Sequence, residues 1–268
     1  MELLHRSQDE LPIVIIARKS RVVTHRDKCI ETLGRLQSTA YIAGTSAAAL
    51  WELPLLREPR QVSVGGILRG RYSSTIKVLP VRAAVTEVAG IRVTTPAWTV
   101  VGSVRQLPIR EGLMVADAAM HRGLCSQREL DDLLPTLRGT SGIGKIRWVV
   151  DNADPAAESP GETWTRLTLR GLGYIPRSQV VIKDGAFTAR LDFLIDDWLA
   201  VEFDGAMKYE GQAAMNEKRR QAHLESMGYR VIRVIWEQLA EPASLDRRLR
   251  TAGARPTARR RPTWLLAG

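Results

Sequence analysis

The sequence predicts an α/β protein in two parts, a mixed sheet flanked by helices preceded by a smaller α+β domain. Three observations carry this. Residues 159–236 read in the order helix, three strands, helix, strand, which is the pattern of a mixed sheet covered by helices. Residues 61–95 hold short runs rich in Val, Ile and Thr, broken by Gly65-Gly66, Gly70, Pro80 and Gly90, as expected of a small and mostly antiparallel sheet. Between these regions Asp151-Asn152-Ala153-Asp154-Pro155 is a polar connector closed by proline, and it sets a boundary that divides the chain into residues 1–150, 151–245 and a basic tail, 246–268, expected to be disordered.

In chain order, residues 13–16 and 21–24 are β-like and residues 26–36 form a short helix. Gly44-Thr45-Ser46 leads into an alanine-rich helix stopped by Pro54, with Trp51 read as core. Helical patterning returns over 97–121 and from Ser126, where Glu129 three residues later completes a capping-box signature. Residues 139–145 match the front of a phosphate loop. Ile146 stands where Ser or Thr should meet Mg²⁺, and no strand precedes the match, so a nucleotide site is rejected. In the second part Ser159, Pro160 and Glu162 occupy the N-cap, first and third positions of a helix, which Gly171 and Gly173 end. Residues 179–183 form a strand, 211–227 a helix carrying Lys218, Arg219 and Arg220, and 229–236 a strand apolar on both faces and therefore expected to be central.

The formal charge of +10 points to a polyanionic partner. Part of the excess is local, since Arg247, Arg248, Arg250, Arg255, Arg259, Arg260 and Arg261 fall in or beside the tail. Its alternative reading is a solvated end. Cys29 and Cys125 are the only cysteines, which argues against a disulfide framework, and the scattered histidines His5, His25, His121 and His223 show no zinc-ligand spacing. No apolar run approaches the roughly 20 residues of a membrane span, and no signal peptide is evident, so a cytoplasmic protein is expected.

The segment that carries chemistry is residues 190–208. Two β-rich runs, 190–195 and 199–204, flank Asp196-Asp197-Trp198, short enough for a hairpin loop. With a three-residue loop Ile195 faces Leu199, and counting back sets Asp192 opposite Glu202 and Arg190 opposite Asp204. Directly opposed side chains have Cβ atoms about 4.5–5.5 Å apart. Two carboxylates about 5 Å apart repel by roughly 3 kcal/mol at an effective dielectric near 20, a penalty that a hard cation such as Mg²⁺ or Mn²⁺ removes. A slip of one residue would put the acids on opposite faces, leaving a solvated acidic hairpin.

Gln179, Asp192-Phe193, the run from Leu199 through Glu202 to Gly205, and the helix carrying Arg220 and Leu224 before Gly228-Tyr229-Arg230-Val231 resemble the endonuclease-like domains related to very-short-patch-repair (Vsr) endonucleases, within the PD-(D/E)xK restriction-endonuclease-like superfamily. The resemblance covers about residues 156–240. The opening from Ala157 to Glu162, with Lys208-Tyr209, is similar to an actinobacterial subgroup. It implies metal-dependent hydrolysis of DNA phosphodiesters, with Mg²⁺ or Mn²⁺ held by Asp192 and Glu202 and Glu162 contacting the metal's ligands or its bound water. The superfamily lysine two residues after Glu202 is replaced by Asp204, read either as the ion-pair partner of Arg190 or as a third metal carboxylate. Lys208 or Lys218 is the candidate substitute. Lys218, Arg219, Arg220 and Arg259, Arg260 and Arg261 are expected to bind DNA. Residues 46–51 and 93–101 resemble AbiEi-type antitoxin proteins of type IV toxin–antitoxin systems, which implies a cognate toxin partner; the winged-helix module of such relatives is expected to be absent or truncated. A non-catalytic DNA-binding regulator on a nuclease scaffold is the alternative function.

Overall fold

The computed structural model describes residues 23–67, 73–79, 82–205 and 212–257. Helix α1 (His25–Gly34) is opened by Thr24 and Asp27, which bond each other reciprocally in a capping box, so Thr24 starts a helix and does not continue a strand; the β-like runs expected at 13–16 and over 21–22 lie outside the described residues. Strand β1 (Tyr41–Ile42), helix α2 (Gly44–Leu50) and strands β2 (Val62–Gly65), β3 (Ile76–Val78), β4 (Val85–Val88) and β5 (Ile91–Thr94) follow. The five strands form one sheet in the order β3-β2-β1-β5-β4. It is evenly mixed: β1 with β2 and β4 with β5 are antiparallel, whereas β1 with β5 and β2 with β3 are parallel. Only β4 and β5 are joined by a tight hairpin, whose Ala89 and Gly90 both have positive φ. The other strand pairs enclose longer segments, which is why turn signals overstated the antiparallel content.

Helices α3 (Pro96–Gln106) and α4 (Ile109–His121) divide the helical stretch at Pro108, which cannot continue a helix. Helix α5 (Gln127–Leu133), a 3₁₀ turn (Leu134–Leu137) and α6 (Ile143–Asn152) complete the first part. Ser126 and Glu129 cap α5 as expected. The phosphate-loop look-alike is the entry to α6, and its Lys145 ammonium donates to the Leu107 carbonyl. This part holds five strands and six α-helices among the described residues. Trp51 is half-buried between its two apolar clusters and donates through Nε1 to the Thr94 carbonyl at 3.0 Å.

The second part contains α7 (Pro160–Gly171), β6 (Arg177–Asp184), β7 (Phe187–Ile195), β8 (Leu199–Phe203), α8 (Gln212–Ser226), β9 (Arg230–Val234), α9 (Trp236–Leu239) and α10 (Pro242–Ala252). Its sheet runs β6-β7-β8-β9, antiparallel except for the parallel pair β8 and β9. Leu169, Leu172, Leu245 and Leu249 seal one face and Leu224 of α8 the other. Strand β9 is therefore an edge strand, not the central one. Its apolar residues are explained by helices on both sides, and Trp236 lies in α9. Helix α10 carries Arg247, Arg248 and Arg250, so the ordered chain extends beyond residue 245 into the segment expected to be a disordered tail. The cause is amphipathic: Leu245 and Leu249 are fully buried while the arginines occupy the outer turns.

The proline-closed connector is held tightly. Arg166 of α7, 1% exposed, donates to Asp117 of α4 at 2.5 Å and to the Asn152 carbonyl at 2.8 Å. Asp117 also accepts from the Asp154 backbone and the Thr163 hydroxyl, both at 2.8 Å. The two parts thus share a buried polar seam along α4 and α7.

Candidate functional site

The loop between β7 and β8 has the three residues expected, with Asp196 and Asp197 in left-handed conformations that Asp tolerates. Ile195 pairs with Leu199, Leu194 with Ala200 and Phe193 with Val201, so the register is the predicted one. One step further the strands part: β7 continues against β6 and β8 against β9. The Asp192 carboxylate reaches into the gap and accepts the Phe203 N–H at 2.8 Å. Leu194 and Ala200 lie in the cluster under Leu224 of α8, so Asp192 and Glu202, two positions along each strand, share that face.

Together they line a cleft of about 400 Å³ with Asp204, Arg190, Arg220 and Arg233. Burial, reinforced by the Glu162 and Glu202 carboxylates, raises the Asp192 carboxyl to about 6 despite the Phe203 N–H and Arg220, which favour its ionised form. Glu202 is bound by the Arg220 fork, at 2.5 Å to one oxygen and 3.2 Å to the other. Arg220 also meets Glu217 at 3.1 Å and the Arg190 carbonyl at 3.0 Å. These partners hold its guanidinium firmly charged. Glu217, one turn back on α8, also accepts from Arg233 of β9, which sits directly beside Glu202 in the sheet.

Several expected roles change. Arg220 is turned onto Glu202 and does not share the exposed face of Lys218 and Arg219; three positions from Glu217, it lies on the helix stripe that meets the sheet. Arg190 bonds Glu158 at 2.7 Å. Glu162 is 7% exposed and fully engaged as an acceptor, from the Ser159 hydroxyl at 2.8 Å, the Glu158 N–H at 3.0 Å and the Gln179 amide at 2.8 Å. It closes the start of α7 and acts on Asp192 through its field. Asp204 lines the same cleft as Asp192 and Glu202, and among the described residues no three His, Cys, Asp or Glu side chains form a group that could hold a metal ion. The expectations for Lys208, Arg259, Arg260 and Arg261 lie outside the described residues.

Comparison with known proteins gives two relatives, both uncharacterized proteins, from two strains of Mycobacterium tuberculosis. Each is 32% identical over 174 residues, which cover 63% of this chain and 64% of the relative. The chain spans about 64% of the length of the curated relatives it matches. No family model matches the chain, and no solved structure does.

Gln179 is the site residue whose importance sequence reasoning understated. It stands opposite Asp192 in the register of β6 and β7, with a φ of +51°, and its amide holds Glu162. Its Oε1 is buried without a hydrogen-bond partner. Glu217 and Arg233 were missed altogether. Their only sequence signal was a charge placed inside an otherwise apolar strand and another three residues before Arg220.

Proposed function

We propose that the cleft between β7, β8 and α8 is the centre of a divalent-ion-dependent DNA endonuclease, working in the cytoplasm. The observation that supports this reading is the meeting of Asp192 and Glu202 from adjacent strands in one arginine-walled cleft. Two carboxylates facing each other, one of them kept partly protonated by its surroundings, form a site that a cation would relieve, and their hard oxygens suit Mg²⁺ or Mn²⁺. Asp192 and Glu202 would hold the ion, which when bound polarises a phosphoryl oxygen and acidifies a water molecule. Arg190 and Arg233 offer the phosphate backbone positive charge at the walls. Arg220 provides a permanent cation beside Glu202, in a chain whose motif position 204 is acidic. Glu162, held by Ser159, Glu158 and Gln179, favours cation binding through its negative field at Asp192.

A specific contact favours a second reading, a DNA-binding scaffold without catalysis. Both Glu202 oxygens are engaged by Arg220, which is a self-sufficient ion pair needing no metal. Calorimetry with Mn²⁺ separates the two. The nuclease reading expects one site in the wild type, lost in Asp192→Ala and Glu202→Ala, and Mn²⁺-dependent nicking of duplex DNA lost in the same variants. Duplex binding that persists in both variants with no metal uptake in the wild type, with or without DNA, would transfer the assignment to the scaffold. Arg220→Gln sharpens the comparison: it frees Glu202 and should abolish nicking while keeping or strengthening Mn²⁺ binding.

A further inference from the structure

A cleft of about 650 Å³ lies in the first part, lined by none of the residues that line the carboxylate cleft. At its base is the N-terminus of α4. The N-cap there is Pro108, which offers no side-chain cap, and the first intrahelical bond of the turn is donated by Gly112, so the N–H groups of Ile109, Arg110 and Glu111 have no acceptor inside the helix. Such a turn carries a partial positive charge and donors aimed along the axis.

Arg110, in that first turn, is a second and independent signal. It is 9% exposed and its Nε is buried without a hydrogen-bond partner. Its guanidinium rests on the Trp164 ring at 3.7 Å. Stacking favours the cation and uses the ring face, leaving the in-plane Nε donor without an acceptor. A guanidinium cannot shed its proton to escape the cost of burial. Burial lowers its affinity for that proton, and Glu111 only partly restores it. Arg57, Arg60 and Lys77 bring three exposed cations to the same cleft, against the carboxylates of Glu58 and Glu111. The polar wall is already ordered, because Gln106 accepts the Thr45 N–H and donates to the Ser63 hydroxyl, each at 2.7 Å.

We propose that this cleft is a binding site for a phosphate-class anion, seated on the first turn of α4 and the Arg110 guanidinium and bordered by Arg57, Arg60 and Lys77. Planar paired donors and a helix N-terminus are both suited to phosphoryl oxygens. A nucleic-acid backbone and a small phosphorylated molecule share this chemistry. The site stands independently of the carboxylate cleft.

The test uses the full chain with two probes, a fluorescein-labelled 20-base-pair duplex followed by anisotropy and pyrophosphate followed by calorimetry. Arg110→Gln is compared with an Arg60→Ala/Lys77→Ala variant, whose exposed positions leave thermal unfolding unchanged. Binding of at least one probe should weaken by about tenfold or more in both, the loss of a charge-assisted contact. Loss of duplex binding with a shallower salt slope identifies the nucleic-acid backbone; loss of pyrophosphate binding alone identifies a small phosphorylated ligand. The inference is overturned if wild type binds neither probe at millimolar concentration, or if duplex binding falls with Arg233→Ala but not in the rim variant.

Discussion

Asp192 shows how one residue can be ordinary in sequence and unusual in place. A carboxyl in an unfolded chain titrates near 3.9, whereas burial holds this one at about 6. Between those values the folded chain binds the proton more tightly than the unfolded chain, so stability falls as pH rises through the window. The deficit, about 2–3 kcal/mol, is complete above the folded value and absent below the unfolded one. Asp192→Asn should therefore match the wild type near pH 4 and exceed it by about 2 kcal/mol at pH 8. Urea denaturation in chelator at both pH values measures this, and a difference that does not change with pH would show that Asp192 titrates normally. That Asp192 and Glu202 line one cleft was legible beforehand because a three-residue loop sets a strand register. The Arg220 bond to Glu202 was not, since it depends on which stripe of α8 meets the sheet, and the apolar residues of that helix are too few to say.

At the scale of elements, the approach of α7 to β8 is the contact that shapes the site. A methyl group at Gly161 would fall 2.1 Å from the Phe203 ring, so helix or ring must shift. Gly161→Ala should cost about 1–3 kcal/mol, as overpacking does, and should also weaken Mn²⁺ binding, because Glu202 precedes Phe203 on the displaced strand. Gly144→Ala in α6 is the control: nothing lies within 4 Å of the added carbon, and helix propensity favours alanine by about 1 kcal/mol. Thermal melting of both variants checks the contrast; equal shifts would mean that the α7 contact is slack. The start of α7 was readable because capping is local chemistry. Even so, Glu162 reaches back to the Glu158 N–H, one residue before the cap. Strand β9 was misplaced for a related reason. A run apolar on both faces reports that something covers both faces, and helices do this at an edge as well as in the middle.

For the whole molecule, the seam between α4 and α7 makes the two parts mechanically one. Removing one partner of a buried ion pair leaves an uncompensated charge, at a cost of about 3–5 kcal/mol. Asp117→Ala should lose that much, because Arg166 would keep only the Asn152 carbonyl and Asp154, whose nearest contact is 3.6 Å. Urea unfolding followed separately by tryptophan fluorescence and far-ultraviolet circular dichroism should give one coincident transition in the wild type; two resolved transitions there would mean that the parts unfold independently. Among the described residues no helix is long and apolar enough to cross a membrane.

From the sequence alone came the α/β class, the helix–three strands–helix–strand order of the second part, the caps at Ser126 and Ser159, and the strand register that brings Asp192 and Glu202 to one face. All of these rest on interactions between residues near one another in the chain, where spacing determines geometry. Tertiary structure decided the mixed pairing of the first sheet, the edge position of β9, the capture of Glu202 by Arg220 and the buried bond between Asp117 and Arg166, 49 residues apart. It also placed Arg110, its buried Nε without a hydrogen-bond partner, in the wall of the cleft at the start of α4. In each case the partner is chosen by how helices pack on sheets, and no local pattern of residue types encodes which distant charge a side chain will meet.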